Sequence, residues 1–304
     1  MITQQFSWSD LVFRLLGVKG IGESFVNRLI MSNTSSGSVF DMEQFIISKL
    51  TNKQKAEFLN VPDIDLSMRY QEDVKFISVK DAEYPSCLIN YLNTKTPSVL
   101  SCIGNTDLLK MKKVGFCGSR KVSAKGIDIT RDCVSQLITS DVCIVSGYAN
   151  GVDITAHSTA LMSGGTTIIV LPEGINHFTI RRDLNSIWDW NRVLVISEFL
   201  PSDKWSVGRA MKRNNTILGL SDVMVVVEAG ISGGSIDAGK KAIAGGKSLF
   251  VTQYGEWPES ALGNQDLLAH GALPIRRQRG SSNANLSQLR NALTANTSLF
   301  SQPS

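Results

Sequence analysis

The chain has 304 residues, 42% hydrophobic and 19% charged, with 31 basic and 27 acidic side chains and a formal net charge of +4. This is globular composition, not the low-apolar, high-charge signature of disorder. No stretch approaches the about 18 apolar residues of a membrane span, and Met1–Asp10 lacks the pattern of a secretory signal.

The first eighty residues have a helical texture. Leu11, Leu15 and Leu16, then Phe25, Leu29 and Ile30, recur at spacings of three to four. Val18-Lys19-Gly20-Ile21-Gly22 lies between these two patterns. It resembles a helix-hairpin-helix, and equally a plain turn between two helices. Further helices are predicted over Met42–Leu50 and Lys53–Leu59, with a loop over Ser32–Ser38. Residues 1–72 are therefore expected to form a small all-α domain, of helix-hairpin-helix or SAM-like type. Asp63–Tyr84 reads as a linker with a short strand at Phe76–Val79.

From Val99 the rhythm changes. Apolar runs at Val114–Cys117, Val142–Val145, Thr166–Leu171, Val193–Ile196, Val223–Val227 and Leu249–Val251 read as strands. Helices are predicted between them at Ala124–Thr139, Val152–Ser163, Arg181–Trp190, Val207–Leu220 and Ile236–Ala244. This alternation predicts an α/β fold with a mostly parallel sheet flanked by helices over residues 73–275. Residues 276–304 read as a basic polar tail, mobile apart from one short helix at Leu286–Leu293. All of the excess charge lies there. From Leu267 onward there is no acid, only Arg276, Arg277, Arg279 and Arg290, which leaves 27 basic and 27 acidic residues elsewhere.

In a parallel sheet, ligands bind beyond the carboxyl ends of the strands. The informative residues fall there. Gly118-Ser119-Arg120 follows the first run and Ser146-Gly147-Tyr148-Ala149-Asn150-Gly151 the second. Pro172-Glu173-Gly174 follows the third, and Ser232-Gly233-Gly234-Ser235 the Val223–Val227 run. Glycines admit a ligand close to the backbone, and helix N-termini with hydroxyls attract anions. Arg120 adds a guanidinium suited to phosphate. Lys204, Arg209, Lys212 and Arg213, followed by Asn214-Asn215, add a cationic cluster. It reads either as a solvated helix face or as a phosphate contact. Asp153 and His157 share a helical face, where buttressing the glycine loop outweighs catalysis. The five cysteines, Cys87, Cys102, Cys117, Cys133 and Cys143, show no C-x-x-C pair. They read as reduced packing residues of a cytoplasmic protein. No metal site or cofactor is predicted.

Taken in order, Tyr84-Pro85, Gly115–Arg120, Val145–His157, Gly164–Ile168, Ser197–Phe199, Arg213-Asn214, Val226–Ala229, Ser232–Ser235 and Gly263-Asn264 resemble the DNA-processing protein A (DprA/Smf) family. The resemblance covers residues 75–275. It implies an extended Rossmann-like domain that binds single-stranded DNA, mediates recombination by loading RecA, forms a homodimer and acts in natural transformation or related DNA handling, without being an enzyme. It assigns DNA or phosphate binding to Gly118, Ser119, Arg120, Ser146, Gly147, Asn150, Gly151, Lys212, Arg213, Asn214 and Ser232–Ser235, with Asp153, His157 and Glu228 in support. Three positions depart from the family pattern. Asn150 and Asn215 replace arginine-like residues, and Asp237 stands where threonine is usual, beside the anion loop. An alternative reading is a Rossmann-like nucleotide sensor or hydrolase, for example in phage defence, that uses Glu228 and Asp237.

Overall fold

The computed structural model describes residues 8–32, 39–61 and 73–299. Most of the expected Ser32–Ser38 loop and the first part of the expected linker lie outside them. The chain divides into two compact units.

The first unit comprises residues up to Ile103 with Glu173–Thr179 and Ile196–Ser206. It holds helices α1 (Trp8–Gly17), α2 (Glu23–Ser32), α3 (Val39–Lys49) and α4 (Asn52–Leu59). Strands β1 (Lys75–Ser78) and β2 (Val99–Gly104) pair antiparallel, with helix α5 (Ser86–Leu92) between them in sequence. Leu11, Leu15, Val26, Ile30, Ile46 and Phe58 form a core that includes Val99 of β2. The helices are also tied to the segment before β2 by polar groups. The Asn27 amide donates to the Thr96 carbonyl at 2.7 Å, and Glu23 accepts the Ser98 N–H at 2.9 Å. The unit therefore runs beyond residue 72. In the turn between α1 and α2, Gly20 has φ 83°, and the Lys19 N–H donates to Glu57 Oε2 at 3.1 Å. An amide that a hairpin of this kind would offer to phosphate is engaged by a carboxylate of α4.

The second unit comprises Gly104–Pro172, Ile180–Val195 and the chain from Val207. Its strands are β3 (Lys112–Cys117), β4 (Val142–Ser146) and β5 (Thr167–Val170), then β7 (Val223–Val226), β8 (Leu249–Thr252) and β9 (Leu273–Ile275). Strand β6 (Val193–Ser197) lies between β5 and β7 in sequence. Its helices are α6 (Ala124–Ile138), α7 (Val152–Met162), α8 (Val207–Leu220), α9 (Gly234–Ala244), α10 (Leu262–Ala269) and α11 (Ser287–Leu299). Across this unit the strand order is β5-β4-β3-β7-β8-β9. The pairs β5–β4, β4–β3, β3–β7, β7–β8 and β8–β9 are all parallel. Within the order β5-β4-β3-β7-β8-β9 the winding reverses between β3 and β7. That is the switch point where such sheets open a crevice for ligand. Both β4 and β7 are buried along their whole length, as strands covered on two faces must be. Four thiols, Cys102, Cys117, Cys133 and Cys143, are pushed up to about 12 by burial, so they stay protonated and inert.

Two expectations need correction. No α-helix forms over Arg181–Trp190, which carries only a 3-10 turn at Asn185–Ile187. Short polar side chains there engage nearby groups instead. Asp189 accepts the Asn191 N–H at 2.9 Å and pairs with Arg192 at 2.9 Å. The segment after Ile275 is also more ordered than its composition suggests. Ala284, Leu286, Leu289 and Leu293 are buried in the core with Val134, Leu137 and Phe250. Leu289 and Leu293 give α11 one apolar face, which Leu286 extends just before the helix, and this outweighs its polar residues. Leu289→Ala is expected to lower the unfolding free energy by about 2–4 kcal/mol, read by urea denaturation. A value near zero would mean that α11 is not part of the core.

Candidate nucleic-acid interface

The loops after β3, β4 and β7 are joined by their backbones. The Ser119 N–H donates to the Glu228 carbonyl at 2.7 Å, and the Val152 N–H reaches the Ser119 carbonyl at 3.5 Å. Gly151 has φ 84°, and a Cβ there would run into the Ser119 and Arg120 carbonyls. Only glycine combines that backbone with that approach.

Beneath this surface lie two sets of buried polar groups. Glu228 is 0% exposed, and four donors saturate its carboxylate. They are the Ser123 N–H at 2.9 Å, Ser123 Oγ at 2.5 Å, Tyr254 Oη at 2.9 Å and Ser260 Oγ at 2.6 Å. Ser123 caps α6, its Oγ accepting the Gly126 N–H at 3.1 Å. Glu228 thus fixes the loop that presents Arg120.

The second set supports the β4 loop. His157 Nε2 lies 2.5 Å from the Gly147 carbonyl and Nδ1 lies 2.6 Å from Thr167 Oγ1. A carbonyl only accepts, so Nε2 carries the proton, and the one proton of the Thr167 hydroxyl is shared between Nδ1 and the Ile144 carbonyl at 2.9 Å. Burial holds this imidazole down at about 4, and the nearby Arg213 charge also disfavours its protonation. A neutral ring with both nitrogens engaged is a buttress. Asp153 Oδ2 accepts the Ala149 N–H at 3.3 Å. Burial raises its pKa, and the Arg213 charge opposes that rise.

Arg213 was expected to line the pocket and is instead 6% exposed. Its guanidinium turns inward, Nη1 donating to the Val170 carbonyl at 2.5 Å. A Cβ on Gly147 would collide with this guanidinium and with the Asp153 carboxylate. Asn214 accepts from Arg213 Nε at 3.3 Å and donates to the Gly234 carbonyl at 3.4 Å, tying α8 to the start of α9. Arg213 and Asn214 therefore act as a strut behind the loops. The helix register carries the signal for this, since Arg213 shares a face with the buried Thr216, Ile217 and Leu220. Ser146 is buried too, its hydroxyl donating to the Phe116 carbonyl at 2.7 Å.

Solvent reaches the other expected residues. Arg120, Asn150, Ser232 and Gly233 are exposed, while Gly118, Ser119, Gly151, Lys212, Gly234 and Ser235 are half-buried. Lys204 belongs to the other compact unit. Asp237, an acid beside the anion loop, pairs with Lys241 at 2.8 Å, which offsets its charge. Glu228 and Asp237, the acids on which nucleotide hydrolysis would rely, are thus both engaged. Among the described residues no group of three His, Cys, Asp or Glu is placed to hold a metal. One cation escaped the sequence reading. The Arg181 guanidinium lies 6.0 Å from the Tyr148 ring, and the Arg181 backbone N–H donates to Tyr148 Oη at 3.0 Å, beside the β4 loop. The helix expected over Arg181–Trp190 hid it.

Glu228→Ala would leave three hydroxyls and an amide without their acceptor, and is expected to cost about 3 kcal/mol or more in chemical denaturation. His157 gives a pH-dependent prediction. Between pH 6.5 and 4 the unfolded chain takes up a proton that the folded imidazole refuses, so its contribution to stability is lost as pH falls through that window. Asp153 acts oppositely, because its raised folded pKa lets stability decline as pH rises above 3.8. The stability difference between wild type and His157→Gln should therefore shrink by about 2–3 kcal/mol from pH 7 to pH 4.5. A constant difference would contradict the neutral buried ring.

Known proteins bear on this geometry. Residues 75–283 match the family described as DNA recombination-mediator protein A. DNA processing protein DprA of Streptococcus pneumoniae is 33% identical over 196 residues, spanning 64% of this chain and 68% of that protein. The Bacillus subtilis protein of the same name is 26% identical over 235 residues, 77% and 78% of the two chains. The solved Streptococcus pneumoniae structure superimposes with a TM-score of 0.74 at 26% identity, covering 89% of this chain and 95% of that one. DNA processing protein A from Helicobacter pylori, described for its single-stranded DNA binding mode, gives a TM-score of 0.59 at 25% identity over 74% and 97%. With a family match over most of its length and an extended Rossmann-like sheet, this chain belongs to the DNA recombination-mediator protein A (DprA/Smf) family.

Proposed function

We propose that this protein binds single-stranded DNA on the loops at the carboxyl edge of its sheet and acts as a recombination mediator that loads RecA onto that strand. The observation that carries the reading is the joining of the β3, β4 and β7 loops at the switch point, with Arg120 exposed upon them. Backbone N–H groups, hydroxyls and a guanidinium suit phosphate oxygens. Arg120 contacts the strand directly. Ser119, Asn150, Gly151, Lys212 and Ser232–Ser235 line its path. Ser146, Gly147, Asp153, His157, Arg213, Asn214 and Glu228 hold these loops in place. RecA as partner and a homodimeric state come from the family. A cytoplasmic location suits its DNA-handling role and the four inert thiols. No helix among the described residues is long and apolar enough to cross a membrane. The protein works by binding, without catalysing a reaction of its own.

Labelled oligonucleotides titrated across a salt series test this reading. Affinity should fall steeply with salt, by about 0.7 in log K per log salt for each phosphate engaged. Arg120→Ala should weaken binding about tenfold with little change in stability. Arg213→Ala should act chiefly by destabilising the fold. The full chain should also speed RecA assembly on coated single strands. Weak, salt-insensitive binding that Arg120→Ala leaves unchanged would overturn the proposal.

A further inference from the structure

The parallel strands determine which residues share an edge. β3, β7, β8 and β9 run the same way, so the residues after Ile275 emerge on the edge that carries the loops after β3 and β7. Those residues are Arg276-Arg277-Gln278-Arg279, all exposed. They hold three of the four arginines that give the chain its net charge.

The chain there forms a closed turn. The Gln278 N–H donates to the Asn283 carbonyl at 2.7 Å and the Ser281 N–H to the Gln278 carbonyl at 3.1 Å, while Arg277 bridges to Ala284. The turn is anchored on the body. The Ala284 N–H donates to Asp132 Oδ2 at 2.5 Å, and Arg276 Nε donates to Gln253 Oε1 at 2.7 Å, just beyond β8. Arg277, Gln278, Gly280, Ser281 and Ser282 line an open cavity of about 420 Å³. Its lining offers a guanidinium, an amide and two hydroxyls, and no acid.

Strand spacing of about 4.8 Å sets β9 roughly 14 Å from β3 across the sheet. The loop after β8 lies between them in strand order. Trp257 there is half-buried and packs edge-on to Tyr254 at 5.8 Å, and Lys125 lies 5.3 Å from the Tyr254 ring. Glu256 and Glu259 flank Trp257 and Lys125 lies beside Tyr254, so the middle of this path carries both signs while the arginines gather at its two ends.

We propose that the arginine turn at residues 276–279 is a second phosphate contact for the strand held at Arg120. The strand runs along the carboxyl edge of the sheet from the switch point to β9, with Trp257 as a stacking face for a base between the two ends. Stacking tolerates every base, and paired cationic ends suit a strand read without sequence preference. This inference rests on the single-stranded DNA reading above. It makes the net charge part of the binding surface, and it lengthens the footprint beyond the crevice.

The test uses the full chain and fluorescence anisotropy with labelled oligothymidylates of about 6 and about 25 nucleotides across a salt series. Two variants are compared with wild type, R276Q/R277Q/R279Q and R277Q/R279Q, the second keeping the Arg276–Gln253 bond. On the long strand the triple variant should lower the salt slope by about two and the affinity roughly tenfold or more at low salt. The double variant should show about two thirds of that change in slope. The loss on the short strand should be clearly smaller. If both variants reproduce the wild-type slope and length dependence while Arg120→Ala weakens binding, the turn is not a contact and only the pocket reading stands. If wild type shows no salt-dependent binding to either strand, the single-stranded DNA reading fails and takes this inference with it.

Discussion

A carboxylate removed from water must find donors or destabilise the fold that buries it. Glu228 finds four, and they come from three separate stretches of chain. Ser123 opens α6, Tyr254 follows β8 and Ser260 precedes α10. The backbone carbonyl of the same residue receives Ser119. One side chain at the end of a central strand therefore sets the β3 loop, the cap of α6 and the β8 loop together. Once those are fixed, Gly151 can press against the Ser119 carbonyl and the β4 loop falls into place.

The site that results divides its work between two layers. Arg120, Asn150, Ser232 and Gly233 meet solvent. Behind them, Arg213, Asp153 and His157 form a buried polar layer that shapes Gly147 and Ala149. A charged residue near a pocket is thus no guide to whether it touches ligand. Arg213 spends its guanidinium on the Val170 carbonyl and on the field around Asp153. Preorganisation of this kind would let a surface that is neutral apart from a few cations take up the proposed polyanion, because the donors need no rearrangement on binding.

Much of this was legible in the sequence. α8 runs over Val207–Leu220, as its periodicity predicts, and each apolar run proposed as a strand is one within a residue or two. Those runs are buried on both faces, which makes them nearly continuous in apolar residues and easy to see. The short elements were not legible. β9 has three residues, one of them Pro274, and α5 has seven, too few for a period to emerge. Arg181–Trp190 looked helical by length and position, but its Asp189 side chain competes for the backbone. At the site, the loops were visible because glycine and serine mark them. The inward turn of Arg213 was not, because composition weighs charge without direction. The polar stretch after Ile275 misled for the converse reason. Three leucines at helical spacing suffice to dock α11.

The proposed place of the single strand is the carboxyl edge of the sheet. Photo-crosslinking of a 5-iodouracil oligonucleotide, with the attached peptides mapped by mass spectrometry, tests it most directly. Adducts are expected within residues 118–121, 147–151 and 231–235, lost when Arg120 is replaced by alanine. Adducts confined to the α1–α2 turn at residues 18–22, with none on the three loops, would contradict it.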